Sequence, residues 1–159
     1  MRFRTRQDVR AWFKALHDRK EFKIEFDDFY FCFIAGIARR RKASLPVEQT
    51  PELIDYFAEN YNGTRAQTMI ALFLKAELDE LGLVLNEKGK KHDVHTAIAT
   101  LVDYSTPSRL STEGMLQFNR YAHGGFEVLT EWFDDRPRTL EAFLRGFKRK
   151  LDAQLQHSV

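Results

Sequence analysis

The sequence predicts an all-α fold, a bundle of six or seven helices in one domain over residues 1–159. Three observations predict it. Apolar residues recur three and four positions apart along most of the chain, the spacing of one helical face. Gly, Pro, Asn and Ser/Thr residues punctuate these stretches where helices would need caps. The composition, 43% hydrophobic with 30% charged residues, is that of a chain that buries a core.

The elements follow in order. Thr5 stands as an N-cap with Asp8 three positions later, and Val9, Trp12, Phe13 and Leu16 mark one face, so a first helix is placed from there to Lys20. Residues 21–42 carry two patterns. Phe22, Ile24 and Phe26 alternate, as do Phe29, Phe31 and Phe33, which suits a short β-hairpin over residues 21–34. Phe26, Phe29, Tyr30, Phe33 and Ile37 equally mark a helix capped by Asp27 or Asp28. The helix is preferred, because it sets Arg39-Arg40-Arg41-Lys42 at the negative end of its macrodipole. Gly36 inside it costs about 1 kcal/mol of propensity relative to Ala. Its use would be to let a neighbouring element approach closely.

Residues 43–49 read as a connection. Thr50-Pro51-Glu52 has the cap, proline and acid of a helix start, with Leu53, Ile54, Phe57 and Tyr61 as its face and Asn62-Gly63 as its end. Thr64 with Gln67 starts another, whose stripe of Ile70, Phe73, Leu74, Leu78 and Leu81 stops at Gly82. So short a junction predicts an αα-hairpin. Leu83–Lys91 reads as a linker with room for a short strand. Val94, Ile98, Leu101 and Val102 mark a helix ending near Tyr104, before the break Ser105-Thr106-Pro107-Ser108. Ser111-Thr112 opens the next helix, with Met115, Leu116, Phe118 and Tyr121; Gly124-Gly125 would interrupt or kink it before Phe126, Leu129, Trp132 and Phe133. Thr139 caps the last helix, which carries Leu140, Phe143, Leu144, Phe147, Leu151 and Leu155.

Cys32 is the single cysteine, within an apolar run; it reads as a buried hydrophobe and leaves no intramolecular disulfide. Met1-Arg2-Phe3-Arg4-Thr5-Arg6 has no apolar stretch behind it and does not read as a signal peptide. The apolar run Phe29–Ala38 is too short to span a bilayer. A cytoplasmic protein without a membrane segment is expected. Fourteen Phe, five Tyr and two Trp are more than a core this size hides easily, so some are expected at a protein-partner or homo-oligomer interface.

The net charge is only +2, but it is unevenly spread. Residues 1–50 hold twelve Lys/Arg against seven Asp/Glu, residues 51–87 two against seven, and residues 88–159 eleven against nine. Three clusters stand out: Arg39, Arg40, Arg41 and Lys42; Lys88, Lys90 and Lys91; and Arg145, Lys148, Arg149 and Lys150. Several cations in a small patch are what a phosphate backbone requires, because each neutralised phosphate releases counterions. Each cluster by itself also suits a solvated helix face or a helix C-terminus.

His92-Asp93-Val94-His95 puts two histidines three residues apart, yet no third and fourth ligand follow at a metal-site spacing, so no metal is assigned. Tyr121-Ala122-His123-Gly124-Gly125 offers a histidine beside glycines, but no serine, cysteine or carboxylate is spaced to make it a catalytic base, and a cap or kink explains the glycines. No catalytic residue and no cofactor are assigned. The expectation is a non-enzymatic accessory subunit of a nucleic-acid-handling assembly, touching DNA or RNA through the basic clusters and protein partners through aromatic surface. The competing expectation is a protein-binding module or homo-oligomer whose basic flanks meet the acidic middle of a neighbour.

Overall fold

A computed structural model, describing residues 1–157, folds the chain into seven α-helices with no strand among the described residues. They are α1 (Val9–Trp12), α2 (Lys14–Asp18), α3 (Glu25–Arg39), α4 (Thr64–Glu80), α5 (Lys91–Leu101), α6 (Thr112–Trp132) and α7 (Leu140–His157), with one 3-10 turn at Val47–Gln49. The all-α reading is correct. Residues 21–34 form no hairpin: from Glu25 they are helix α3. Asp27 does help to start it, its carboxylate accepting the Lys23 and Ile24 N–H groups at 2.9 and 3.2 Å.

The chain divides into two compact units: Met1–Phe3 with Ile54–Phe118, and Arg4–Leu53 with the residues from Asn119 onward. In the first, α4 packs on α5. Its core is a ring cluster in which Phe3 lies 4.9 Å from Phe57 and Phe73 lies 5.1 Å from Phe118. Ser111 caps α6, taking the Gly114 N–H at 2.9 Å. The α4 stripe ends as expected. Gly82 sits at φ +71°, its N–H donates to Asp79 and the Leu83 N–H to Leu78, the two bonds of a Schellman cap.

In the second unit α3 packs on α1 and α7. Its core is aromatic: Phe22 stacks on Phe31 at 5.5 Å, and Phe143 meets Phe13, Phe31 and Phe133 within 5.1–5.4 Å. Thr139 caps α7, accepting the Ala142 N–H at 3.3 Å. The glycines set the α3–α6 crossing. A Cβ on Gly36 would overlap the Tyr121 carbonyl, and one on Gly125 would overlap the Cys32 carbonyl. Gly36 thus serves the close approach the sequence suggested. Gly124-Gly125 does not interrupt α6, which runs unbroken to Trp132; packing against α3 holds the helix there despite its poor propensity.

Two other expectations fail for one reason. Thr5 does not cap α1, and residues 50–62 form no helix, so no αα-hairpin precedes α4. Arg4 bridges Glu52 in antiparallel fashion, and the Thr5 and Gln7 N–H groups donate to the carbonyls of Pro51 and Gln49. The Thr50 and Pro51 carbonyls, which would have begun the helix ladder, are spent on the N-terminal segment instead, accepting from the Arg4 guanidinium and the Thr5 N–H. Residues 83–90 hold turns rather than a strand.

Lys20 and Arg40 close α2 and α3 in the left-handed conformation, at φ 61° and 51°, which favours glycine. Lys20→Gly is therefore expected to raise the stability of the second unit by about 0.5–1 kcal/mol, read as a higher melting temperature; a lower one would contradict the assignment.

Candidate polyanion-binding surface

The Arg39–Lys42 run leaves the end of α3 and lies on α6. Its backbone is tied there: the Ala43 N–H donates to the Arg120 carbonyl at 3.0 Å. A Cβ on Gly124 would overlap the Arg41 carbonyl, so that glycine admits the run. Arg41 donates to Glu131 at 2.6 Å, and Arg39 stands 3.8 Å from the other oxygen of the same carboxylate. The hydrogen bond with Glu131 holds Arg41 above its ordinary pKa and Glu131 below the usual carboxylate range. Lys42 lies over the Tyr121 ring at 5.1 Å, a cation–π contact. Arg40, in its left-handed cap, reaches back to the Ile37 carbonyl.

The other clusters differ in setting. Arg145, Lys148, Arg149 and Lys150 are exposed on α7, where Arg145 pairs with Glu141 and Lys148 with Asp152, each at 2.7 Å and one helical turn away. Lys88, Lys90 and Lys91 belong to the first unit. Lys88 and Lys91 line an open cleft of about 570 Å³ with Leu85, Val94, His95 and Ile98, and Lys90 stands 4.0 Å from Asp93. The structure thus brings Arg39–Lys42 and the α7 cluster into one unit and the Lys88–Lys91 cluster into the other. The first unit carries seven Lys/Arg against nine Asp/Glu, the second eighteen against fourteen.

The second unit's interior holds several polar groups, among them a His17–Asp28 pair that sequence reasoning missed. His17 Nε2 lies 2.7 Å from Asp28 Oδ1, with side chains 5% and 2% exposed. Burial pushes the Asp28 carboxyl up to about 8 and His17 down. One turn along α3, Cys32 is fully enclosed, and burial raises its thiol well above the ordinary value. It is the inert hydrophobe expected. His123 on α6 is 5% exposed, and burial lowers it to about 4, with Arg6 and Arg4 adding to the effect. Its Nδ1 has no hydrogen-bond partner.

Asp28 was legible only as a helix cap. Its place four residues before Cys32, on the face that buries Phe29 and Phe33, was the signal that it turns inward. None of these groups lines the open groove of about 720 Å³ bounded by Trp12, Ala15, Phe133 and Pro137.

All fourteen Phe are buried or half-buried. The exposed aromatic residues are Tyr56 and Tyr104, so an interface built of phenylalanine is not what the surface offers; the exposed apolar residues are mainly Leu and Val. His92 and His95 are exposed, and no three His, Cys, Asp or Glu groups gather in metal-binding distance among the described residues. No helix among them is long and apolar enough to cross a membrane.

The fold defines the chain as an all-α protein. No protein-family model matches it, and no curated protein and no solved structure is significantly similar to it.

Proposed function

We propose that this chain is a non-enzymatic helical accessory protein of a nucleic-acid-handling assembly, contacting the phosphate backbone where α3 ends on α6. One observation carries the reading. Arg39 and Arg41 share the carboxylate of Glu131 at an accessible site, with Glu127 acting on Arg41 from one turn away, so neither guanidinium has a carboxylate to itself. A phosphate can take the place of that carboxylate, accepting paired N–H bonds from an arginine fork. Arg40 and Lys42 add charge in the same run, in a unit whose balance is already positive. The α7 cluster contributes to the long-range field, although two of its four cations already hold neighbouring acids. The non-enzymatic part of the reading rests on the placement of His17, Asp28 and His123, which are packed in the interior away from the groove.

Fluorescence-polarisation titration of labelled single- and double-stranded oligonucleotides at two salt concentrations tests this reading. Binding is expected to weaken steeply with salt, and Arg39→Glu with Arg41→Glu should weaken it about tenfold or more. Glu131→Gln should tighten it, by removing the competing charge. Lys88→Glu, Lys90→Glu and Lys91→Glu together should matter less than the Arg39/Arg41 pair. No binding at low salt, or an equal loss from the lysine variant, would remove the proposal.

A further inference from the structure

The turn that leads into α4 holds the chain's one Asn-Gly pair, Asn62-Gly63; Asn60, Asn86 and Asn119 precede Tyr61, Glu87 and Arg120 instead. The side-chain amide of an asparagine can be attacked by the backbone nitrogen of the next residue, closing a five-membered succinimide. Glycine is the most open partner for this step, because it brings no Cβ to obstruct the approach.

The turn supplies what closure needs. Asn62 and Gly63 are exposed, and a Cβ on Gly63 would meet nothing within 4 Å, so solvent reaches the peptide. The Gly63 N–H has no hydrogen-bond partner among the described residues, which leaves its nitrogen available. The Asn62 Oδ1 accepts a hydrogen bond from Arg109 Nη2 at 3.1 Å. Arg109 is itself fixed. Its N–H donates to the Thr106 carbonyl at 3.1 Å, its carbonyl accepts the Asp103 N–H at 2.9 Å, and its guanidinium lies 5.9 Å from the Phe57 ring centre. A cationic donor therefore stands on the oxygen that gains negative charge when the amide carbon is attacked.

We infer that Asn62 is a self-modification site at which Arg109 promotes ring closure onto Gly63. The Gly63 nitrogen gives its proton to hydroxide and bonds to the Asn62 Cγ. The Cγ–Nδ2 bond then breaks, and the amide nitrogen leaves as ammonia. Water opens the ring at either carbonyl, giving aspartate or isoaspartate, with nothing oxidised or reduced. The aspartate keeps Arg109 as an ion-pair partner and sets a negative charge before the first turn of α4, which has no side-chain cap.

Peptide mapping by mass spectrometry, on the whole chain held in native buffer at pH 8, tests this. Asn62 is expected to convert while Asn60, Asn86 and Asn119 keep their amides. Arg109→Met should slow the conversion on the order of tenfold, less than the loss of a buried oxyanion donor because solvent screens the charge. The wild-type chain in urea gives a second measure that needs no variant. Arg109 no longer stands beside Asn62 there, so conversion should be no faster than in native buffer. Faster conversion in urea overturns the proposal, since the fold would then protect the pair. So does an Arg109→Met variant with wild-type circular dichroism that converts at the wild-type rate, or a native chain in which Asn62 outlasts any other asparagine.

Discussion

Gly125→Ala is expected to cost the second unit about 3 kcal/mol or more, a large part of what holds a domain of this size together. The added methyl would overlap the Cys32 carbonyl and crowd the Gly36 backbone, and neither is a flexible side-chain end that can swing aside. To relieve it α3 must move off α6, and α3 also packs on α1 and α7. Alanine gains about 1 kcal/mol over glycine in helix propensity, which does not offset that displacement. Gly146→Ala is the informative contrast. A methyl there meets the edge of the half-buried Phe133 ring at 2.7 Å, and the ring can yield. The propensity gain then leaves the net change within about 1 kcal/mol of zero. Urea unfolding followed by far-ultraviolet circular dichroism distinguishes the two variants. Equal stabilities would mean that the glycine crossing does not set the distance between α3 and α6.

The same glycines show what the sequence made legible and where it stopped. Gly36 could be read as a point of close approach because it interrupts an otherwise strong apolar stripe at a cost that needs a reason. At Gly124-Gly125 local propensity allows an interruption that the structure does not make, because it takes no account of the helix that packs there. The stripe of α4, its stop at Gly82 and the Thr139 cap of α7 were legible because they depend on neighbours within a few residues. Residues 50–62 were not, since the carbonyls of Thr50 and Pro51 are claimed by Arg4 and Thr5, far away in sequence. The basic runs could be listed from the sequence, but not their neutralisation. Nothing near Arg39 or Arg41 in the chain announces Glu131, and only the fold tells that α7 cations hold acids one turn away while Arg39 and Arg41 share one.

The buried polar groups of the second unit should make its stability fall above pH 6.5, where Asp28 titrates against no histidine, while below 6.5 the lowered histidines supply an opposing slope. The folded pKa of His123, about 4, lies below the 6.5 of the unfolded chain, so below pH 6.5 the unfolded state binds the extra proton. Stability contributed by neutral His123 is complete above 6.5 and is lost as pH falls through 4, by about 3 kcal/mol. His17, also lowered, acts in the same direction. Asp28 runs the other way. Its pKa rises from 3.8 in the unfolded chain to about 8 in the folded one, so its contribution is complete below 3.8 and is lost as pH rises through 8. Between about 4 and 6.5 the histidines oppose it. Above 6.5 only Asp28 still titrates, and the His17–Asp28 pair gives up the one proton it shares, leaving a buried carboxylate at a cost of about 2 kcal/mol by pH 8. Two substitutions separate the limbs. Asp28→Asn keeps a hydrogen bond to His17 without a titrating carboxyl and should flatten the alkaline limb. His123→Leu removes an imidazole whose Nδ1 has no partner, so it should change stability little at pH 8 and make the protein more stable than wild type at pH 4.5. Urea midpoints measured from pH 4 to 9 on the three proteins decide the matter. An acid-side loss as large in His123→Leu as in wild type would place the sensitivity in His17 or the surface carboxylates instead.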